Sequence, residues 1–204
     1  MLMNTIVMKF GGTSVAGVKK LENIANIVSN EVIINKVVVV LSAMAGETNK
    51  LQGYLDDFNS QNSIESDLVL TSGEQVSIGL LSAALKNKGI KSIPLLGWQV
   101  PIITDDNYEK AKILQIDSKR IFNYFENNDV IVLAGFQGIN LDGKITSLGR
   151  GGSDTTAVAI ASSIDAERCD IYTDVSGVYT TDPSIDNNAK KIPKMSYEEM
   201  LEMA

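Results

Sequence analysis

The chain has 204 residues, of which 44% are hydrophobic, so it is long enough to bury one core or slightly more than one. Its 18 lysines and arginines against 25 aspartates and glutamates give a net charge of −7, which argues against binding to nucleic acid or anionic lipid. The sequence has no histidine and one cysteine, Cys169, which excludes histidine-dependent nucleophiles, histidine-ligated zinc and an internal disulfide.

The sequence shows neither a secretory signal nor a membrane span by its apolar runs. The first residues lack a small-residue cleavage site, and the longest runs, such as residues 37–41, are far shorter than the roughly 18 residues of a transmembrane helix. Cys169, at the start of a predicted strand, is expected to be a small, inert, buried hydrophobe. We therefore expect a cytoplasmic protein.

Four short β-branched runs, followed by small or polar residues, predict buried parallel strands at residues 5–8, 37–41, 130–134 and 171–173. Between them, apolar residues recur at helical spacing. The three predicted apolar faces comprise Val18, Leu21, Ile24, Ala25 and Val28; Val76, Leu80, Ala83 and Ala84; and Ile121, Phe122 and Phe125. This alternation predicts an α/β fold, a three-layer α/β/α sandwich with a mainly parallel central sheet and ligands at the carboxyl ends of its strands.

No linker or repeat divides the chain. Ser196, with Glu199 three residues later, predicts the capped start of a final helix that includes Met200, Leu201 and Ala204. This helix reaches the last residue without a glycine or lysine-rich ending, so we expect the natural protein to continue.

The segment after the first strand is a candidate anion site. Lys9 ends the strand, Gly11 and Gly12 form a turn, and Thr13 and Ser14 precede a helix. Glycines allow backbone N–H groups to approach phosphate oxygens, and the lysine supplies a full positive charge. A tight turn with an exposed lysine is an equally good interpretation of this segment alone.

A second candidate lies in SLGRGGSDTTAVAIAS, where three glycines surround Arg150 and lead into a helix. Ser153 or Asp154 is predicted to cap that helix, and Val158 and Ala161 to continue it, while the Arg150 guanidinium suits bidentate binding of a carboxylate or phosphate. The functional interpretation is favoured here, because a capped loop does not require an arginine between glycines.

Three further segments are weaker signals. Asp174, after the strand at 171–173, and Tyr179 suit a nucleotide but are also ordinary turn residues, as is the turn at residues 182–183. Glu74 opens an apolar helix, where it serves either the helix dipole or a substrate ammonium group. Residues 138–145 nearly match a P-loop, but Ile145 replaces the magnesium-binding hydroxyl, and residues 142–143 favour a hairpin turn.

Five segments occur in the order found in aspartate kinases of the amino acid kinase superfamily: KFGGTSV, LSAMAGETN, TSGEQVS, GRGGSDTTA and TDVSGVYTTDP. On these motifs the chain resembles an aspartate kinase catalytic domain over residues 1–204, incomplete at its C-terminus and without the family's regulatory ACT domains. The resemblance implies ATP-dependent phosphorylation of the side-chain carboxylate of L-aspartate to 4-phospho-L-aspartate, at the entry to lysine, methionine and threonine synthesis. Such a carboxylate, with a pKa near 3.9, needs no general base.

The resemblance also implies roles for individual residues. Lys9 matches the electrostatic catalyst, and Asp154 is expected to orient it. The aspartate site corresponds to Thr48, Glu74, Arg150 and Ser153, with Glu74 on the substrate ammonium and Arg150 on a carboxylate. The nucleotide site corresponds to Lys9, Phe10, Gly11, Gly12, Thr173, Asp174 and Tyr179. Mg²⁺ is implied with ATP, no residue is assigned as a metal ligand, and a homo-oligomer is implied for the full-length enzyme.

Two departures from the family pattern are visible. Ser184 stands where the family often has an arginine, and Lys190 or Lys191 is available to substitute. The family's nucleotide site is completed by a segment beyond residue 204, so weak or absent activity is expected of these residues alone. The alternatives are another amino acid kinase, acting on glutamate, acetylglutamate or uridylate, and a non-catalytic ligand-binding fragment.

Overall fold

The computed structural model describes residues 4–174, 177–181, 184–196 and 198–199. The chain divides into two compact units, Met1–Tyr172 and Thr173–Ala204. The strands are β1 (Asn4–Phe10), β2 (Asn35–Leu41), β3 (Ser92–Leu95), β4 (Ile102–Thr104), β5 (Ile113–Ile116), β6 (Val130–Ala134), β7 (Gln137–Ile139), β8 (Ile145–Ser147) and β9 (Arg168–Tyr172). The helices are α1 (Gly12–Val15), α2 (Val18–Glu31), α3 (Glu47–Asp56), α4 (Ile64–Leu70), α5 (Ser72–Asn87), α6 (Ser118–Phe125) and α7 (Gly152–Ser163).

A five-stranded parallel sheet lies at the centre of the first unit, in the order β3-β6-β2-β1-β9. The four predicted strands correspond to β1, β2, β6 and β9. Strands β1, β2 and β6 are buried almost throughout because helices cover both sheet faces, which explains their uninterrupted apolar runs.

Helices pack on both faces of this sheet. Ile6 and Met8 of β1 belong to a core cluster shared with α2 and α5, whereas Val7 belongs to a second cluster shared with α6 and α7. Alternate residues of one strand therefore face different helical layers. This arrangement confirms the predicted three-layer α/β/α sandwich.

The helical faces were predicted less well than the strands. In α5, Val76 and Leu80 are 56% and 41% exposed, and the buried residues are Gly73, Glu74, Ser77, Ile78, Leu81, Ser82 and Leu85. The predicted face of α5 is therefore wrong, because this helix carries apolar residues on more than one side and their spacing alone does not select between the sides. Three apolar residues that were predicted to be buried in other elements are also exposed: Val18, Phe122 and Ile171.

Ile171 is exposed because β9 lies at the edge of the sheet as described, not in its interior. Cys169, also on β9, is half-buried against the core, and burial raises the pKa of its thiol, which favours the inert form.

A second sheet, in the order β5-β4-β7-β8, was not predicted. Its strands β7 and β8 pair antiparallel around the turn that contains Gly143, whose φ is 78°. The predicted hairpin turn at residues 142–143 is confirmed, and the segment that resembles a P-loop does not form one.

The second unit contains an antiparallel bridge between Tyr179 and Lys191, and the Ile192 N–H donates to the Val178 carbonyl at 2.8 Å. Ser196 and Glu199 exchange side-chain-to-backbone hydrogen bonds of 2.7 and 3.2 Å, as the predicted capping box requires. The predicted turn at residues 182–183 and the helical residues Met200, Leu201 and Ala204 lie outside the described residues.

Residues 64–87, which include α4 and α5, are long and apolar enough to cross a membrane by length and composition, with a mean hydropathy of 1.4 over the most apolar 18 residues. Half of that stretch is buried inside the protein. Leu81 and Leu85 of α5 pack into the core cluster that covers one face of the five-stranded sheet.

Candidate functional site

A cavity of about 410 Å³ opens at the carboxyl ends of β1, β2 and β6, where ligands of open α/β sheets bind. Its walls come from the turn after β1, the loop after β2, the start of α5 and the loop before α7. Eight of the predicted site residues line this one cavity: Lys9, Gly11, Gly12, Thr48, Glu74, Arg150, Ser153 and Asp154.

Lys9 supplies a largely buried positive charge at the base of the cavity. It is the penultimate residue of β1, its side chain is 9% exposed, and its Nζ lies 2.7 Å from Oδ1 of Asp154 in the first turn of α7. A Cβ at Gly11 would lie 3.5 Å from this Nζ. Glycine thus leaves the space beside the lysine open, and the ion pair brings Asp154 next to the ammonium group.

The glycine turn after β1 packs closely against the loop after β2. A Cβ at Gly12 would lie 2.9 Å from the Ala43 carbonyl oxygen, and the Ala45 N–H donates to the Gly12 carbonyl at 3.1 Å. No larger residue fits at position 12 without separating the two loops. The turn therefore serves packing as well as access to the cavity.

Glu74 lies at the start of α5 and is 3% exposed. Its Oε1 accepts a 2.9 Å hydrogen bond from the Ala43 N–H, whereas its Oε2 is buried without a hydrogen-bond partner among the described residues. Burial raises the pKa of this carboxyl to about 7, although the Ala43 hydrogen bond opposes the shift. A buried acceptor without a partner is costly, and a cationic ligand would satisfy it.

The loop before α7 places Arg150 at the exposed mouth of the cavity. Gly151, with φ of 74°, is the N-cap residue of α7, and no side chain caps the helix. The prediction that Ser153 or Asp154 caps α7 is therefore wrong. The helix begins at Gly152, two or three residues earlier than a cap at Ser153 or Asp154 implies, so both residues lie within its first turn.

Ser153 and Thr48 occupy different depths of the cavity. Ser153 is buried against Gly135, where an added Cβ would lie 2.8 Å from the Ser153 Cβ and Oγ. Thr48, at the start of α3, is exposed.

Phe136, which lines the cavity, was missed by the sequence analysis. Its φ is 68°, a left-handed conformation that is rare for an aromatic residue. The Phe136 N–H donates to Thr156 Oγ1 at 3.1 Å, and the same hydroxyl donates to the Gly152 carbonyl at 2.9 Å. Gly135, which directly follows the buried strand β6, is the sequence feature that could have drawn attention to Phe136.

Four predicted residues are not placed on this cavity. Phe10 is 1% exposed and stacks on Tyr172 with ring centroids 4.4 Å apart, so its side chain belongs to the core. Thr173, Asp174 and Tyr179 belong to the second unit, in which the Thr173 hydroxyl donates to Asp174 at 3.2 Å.

The chain is similar to aspartokinases over almost its whole length. It is 48% identical to the aspartokinase of Geobacillus stearothermophilus over 204 residues, which cover 99% of this chain and 50% of that protein. It is 47% identical to the aspartokinase of Rickettsia conorii over 207 residues, with 99% and 52% covered. The chain thus spans about half the length of these curated relatives, and the predicted resemblance to aspartate kinases is confirmed.

The chain is also similar to solved structures of aspartate kinases. The chain superposes on E. coli aspartokinase III in complex with aspartate and ADP with a TM-score of 0.84 and 27% identity, covering 98% of this chain and 56% of that one. Aspartate kinase from Synechocystis gives 0.82 and 41%, covering 97% and 33%. UMP kinase from Ureaplasma parvum, at 16% identity and a TM-score of 0.68 over 99% and 80%, shares the fold. A sequence model of the amino acid kinase family matches residues 4–204, and the chain therefore belongs to this family.

Proposed function

We propose that this cavity binds L-aspartate and the phosphates of ATP, and that the protein transfers the γ-phosphoryl group to the aspartate side chain to give 4-phospho-L-aspartate. The observation that carries the proposal is the buried Glu74 Oε2, an acceptor without a partner among the described residues, in the same cavity as Arg150. Aspartokinase relatives, one of them solved with aspartate and ADP, support the choice of substrate.

The amino-acid end of the substrate has charges complementary to the cavity. Glu74 offers its free oxygen to the ammonium group, and Arg150 offers a planar pair of donors to the α-carboxylate. Ser153 and Thr48 are polar residues of the same cavity and complete the proposed aspartate site. Because Glu74 must be ionised to pair with the ammonium group, its raised pKa makes substrate binding dependent on pH near neutrality.

The phosphoryl end is assigned to Lys9, Gly11 and Gly12. An oxygen of the substrate side-chain carboxylate attacks the γ-phosphorus, the bond from that phosphorus to the β,γ-bridging oxygen breaks, and ADP leaves. The Lys9 ammonium group, held by its ion pair with Asp154, stabilises the negative charge of the substrate carboxylate and the γ-phosphate as they approach each other. The attacking carboxylate is already ionised at neutral pH, so no side chain has to remove a proton from it.

Mg²⁺ is proposed to enter with ATP. In the described part of the chain, no three histidine, cysteine, aspartate or glutamate side chains lie together as a metal-binding group. Phosphate oxygens and water are therefore the ligands that suit Mg²⁺ best here, and the ion neutralises part of the phosphate charge. Phe10, through its backbone, and Thr173, Asp174 and Tyr179 are proposed to contact the nucleotide.

The remaining expectations form part of the same proposal. The reaction stands at the entry to lysine, methionine and threonine synthesis, in the cytoplasm, and the full-length enzyme is a homo-oligomer. Residues 1–204 form an amino acid kinase catalytic domain, part of whose nucleotide site lies in residues beyond 204.

The test combines ADP release with hydroxylamine trapping of the acyl phosphate. It compares the 204-residue protein with a fusion in which the second half of the Geobacillus stearothermophilus aspartokinase follows residue 204. Aspartyl hydroxamate from either form, dependent on Mg²⁺, ATP and L-aspartate, is the expected result. Turnover of glutamate, acetylglutamate or uridylate in place of aspartate would refute the substrate. Calorimetric binding of aspartate without ADP formation by either form would identify a non-catalytic binding module.

A further inference from the structure

Asp67, on α4, is a buried carboxylate that the proposed reaction does not use. Its side chain is fully buried and accepts four hydrogen bonds. The Ser147 N–H and hydroxyl donate at 2.7 Å each, and the Glu109 N–H donates to both carboxylate oxygens, at 3.0 and 3.2 Å. Burial raises the pKa of Asp67, and these hydrogen bonds oppose that shift. A carboxylate with this many donors fixes the groups that donate to it.

Both donor residues lie beside the loop that carries Arg150. Ser147 ends β8, three residues before the arginine. Glu109 has φ of 62°, and its carbonyl oxygen lies so near Gly149 that a Cβ there would be 2.7 Å away. Gly149 itself has φ of 74°. Asp67 therefore fixes the segment before the loop and the backbone against which the loop packs.

The main chain of Asp67 is also linked to Glu74, through Thr71. The Thr71 N–H and hydroxyl both donate to the Asp67 carbonyl, at 3.1 and 2.7 Å, and Thr71, whose backbone is helical, is both the C-cap of α4 and the N-cap of α5. Glu74 follows Asp67 by seven residues, about two helical turns. One residue thus connects the proposed ammonium site to the loop of the proposed carboxylate site.

We propose that Asp67 is a positioning residue that sets the separation of Glu74 and Arg150, and so the affinity for the amino-acid head group of the substrate. This inference rests on the proposed function. It assigns Asp67 no contact with substrate. Its effect is on the binding of aspartate, while Lys9, at the phosphoryl end, keeps its ion pair with Asp154.

The decisive variant is Asp67→Asn, which preserves shape but replaces one acceptor oxygen with an NH₂ group that faces N–H and O–H donors. We expect the KM for aspartate to rise at least tenfold, with kcat within about threefold of wild type and the KM for ATP unchanged. Ser147→Ala removes one of the four hydrogen bonds and is expected to give a smaller rise. Asp142→Asn, on the exposed hairpin turn, is the matched control.

A core variant, Val28→Ala in α2, controls for stability, because it lowers the melting temperature without touching the site. If Asp67→Asn lowers the melting temperature but leaves the KM for aspartate unchanged, Asp67 is structural only and the inference is wrong. If Asp67→Asn does not fold, an unchanged KM in Ser147→Ala refutes the inference equally. The kinetic variants are made in whichever form, the 204-residue protein or the fusion, turns over aspartate. Absence of aspartate turnover in both unsubstituted forms would refute the proposed function and this inference together, which distinguishes that outcome from the first.

Discussion

Gly135→Ala tests how closely the loop after β6 packs against α7. Gly135 has an ordinary backbone conformation, so alanine adds a steric contact without backbone strain. The new Cβ would lie 2.8 Å from the Cβ and Oγ of Ser153 and 3.0 Å from its Cα. Ordinary contacts of this kind begin at 3.4 Å, so the first turn of α7 has to move by roughly half an ångström or more.

The cost follows from overpacking in a well-packed region, which is typically about 1–3 kcal/mol. Replacing glycine by alanine also lowers the entropy of the unfolded chain, which offsets about 0.4–1 kcal/mol. We expect a net loss of about 1–2 kcal/mol in the free energy of unfolding. For a chain of this size, each kcal/mol corresponds to roughly 2–4 °C in melting temperature.

The assay is thermal unfolding followed by circular dichroism, with Gly79→Ala as the control. Gly79 lies on the exposed side of α5 and a Cβ there would meet nothing within 4 Å, so alanine should stabilise the helix by up to about 1 kcal/mol. Opposite shifts of the two variants are expected. A melting temperature for Gly135→Ala at or above that of the wild type would show that α7 is free to move, and would refute the packing argument.

Three further variants test the charges of the site. Arg150→Lys should raise the KM for aspartate sharply, because lysine cannot donate bidentately, and an unchanged KM in steady-state kinetics would refute that role. Lys9→Met should lower kcat by about 100-fold or more in the hydroxamate assay, and a small effect would remove Lys9 from the phosphoryl end. Glu74→Gln tests linkage in urea unfolding: burial raises the folded pKa of Glu74 from 4.5 to about 7, so the contribution of this one group to stability is greatest below pH 4.5 and falls by up to about 3 kcal/mol as pH rises to 7. The Gln variant should lack this component of the fall, and identical pH profiles would contradict the raised pKa.

The elements that could be predicted from the sequence are the strands of the central sheet that are buried on both faces. Strands such as Val130–Ala134 are buried on both faces and therefore consist of uninterrupted apolar residues. Strands β7 and β8 have three residues each, with polar residues that are buried, so no such signal exists for them. The buried face of α5 was missed because apolar residues occur on both its buried and its exposed side, as Leu81 and Leu80 show, so their spacing does not select one face. The burial of Ser82, whose hydroxyl lies 3.0 Å from that of Ser92, is also beyond what apolar periodicity predicts.

The residues of the candidate site also differ in how far the sequence indicates them. Arg150 was identifiable because it stands between glycines that a simple capped loop does not require, whereas Lys9 was ambiguous by itself and was assigned through the resemblance to aspartate kinases. The left-handed backbone of Phe136 was not identifiable, since aromatic residues rarely adopt it and its backbone partners, the Thr156 hydroxyl and the Leu148 N–H, lie 20 and 12 residues away. Asp67 was equally hidden, because its donors lie 42 and 80 residues further along the chain.

The position of β1 within the sheet has a consequence for synthesis on the ribosome. This strand pairs with β2 on one side and with β9 on the other, and β9 begins only at residue 168. Lys9 leaves the ribosome 145 residues before its ion-pair partner Asp154. Until then one side of β1 is an unpaired, apolar edge, the kind of surface that makes nascent α/β chains fold slowly and bind chaperones.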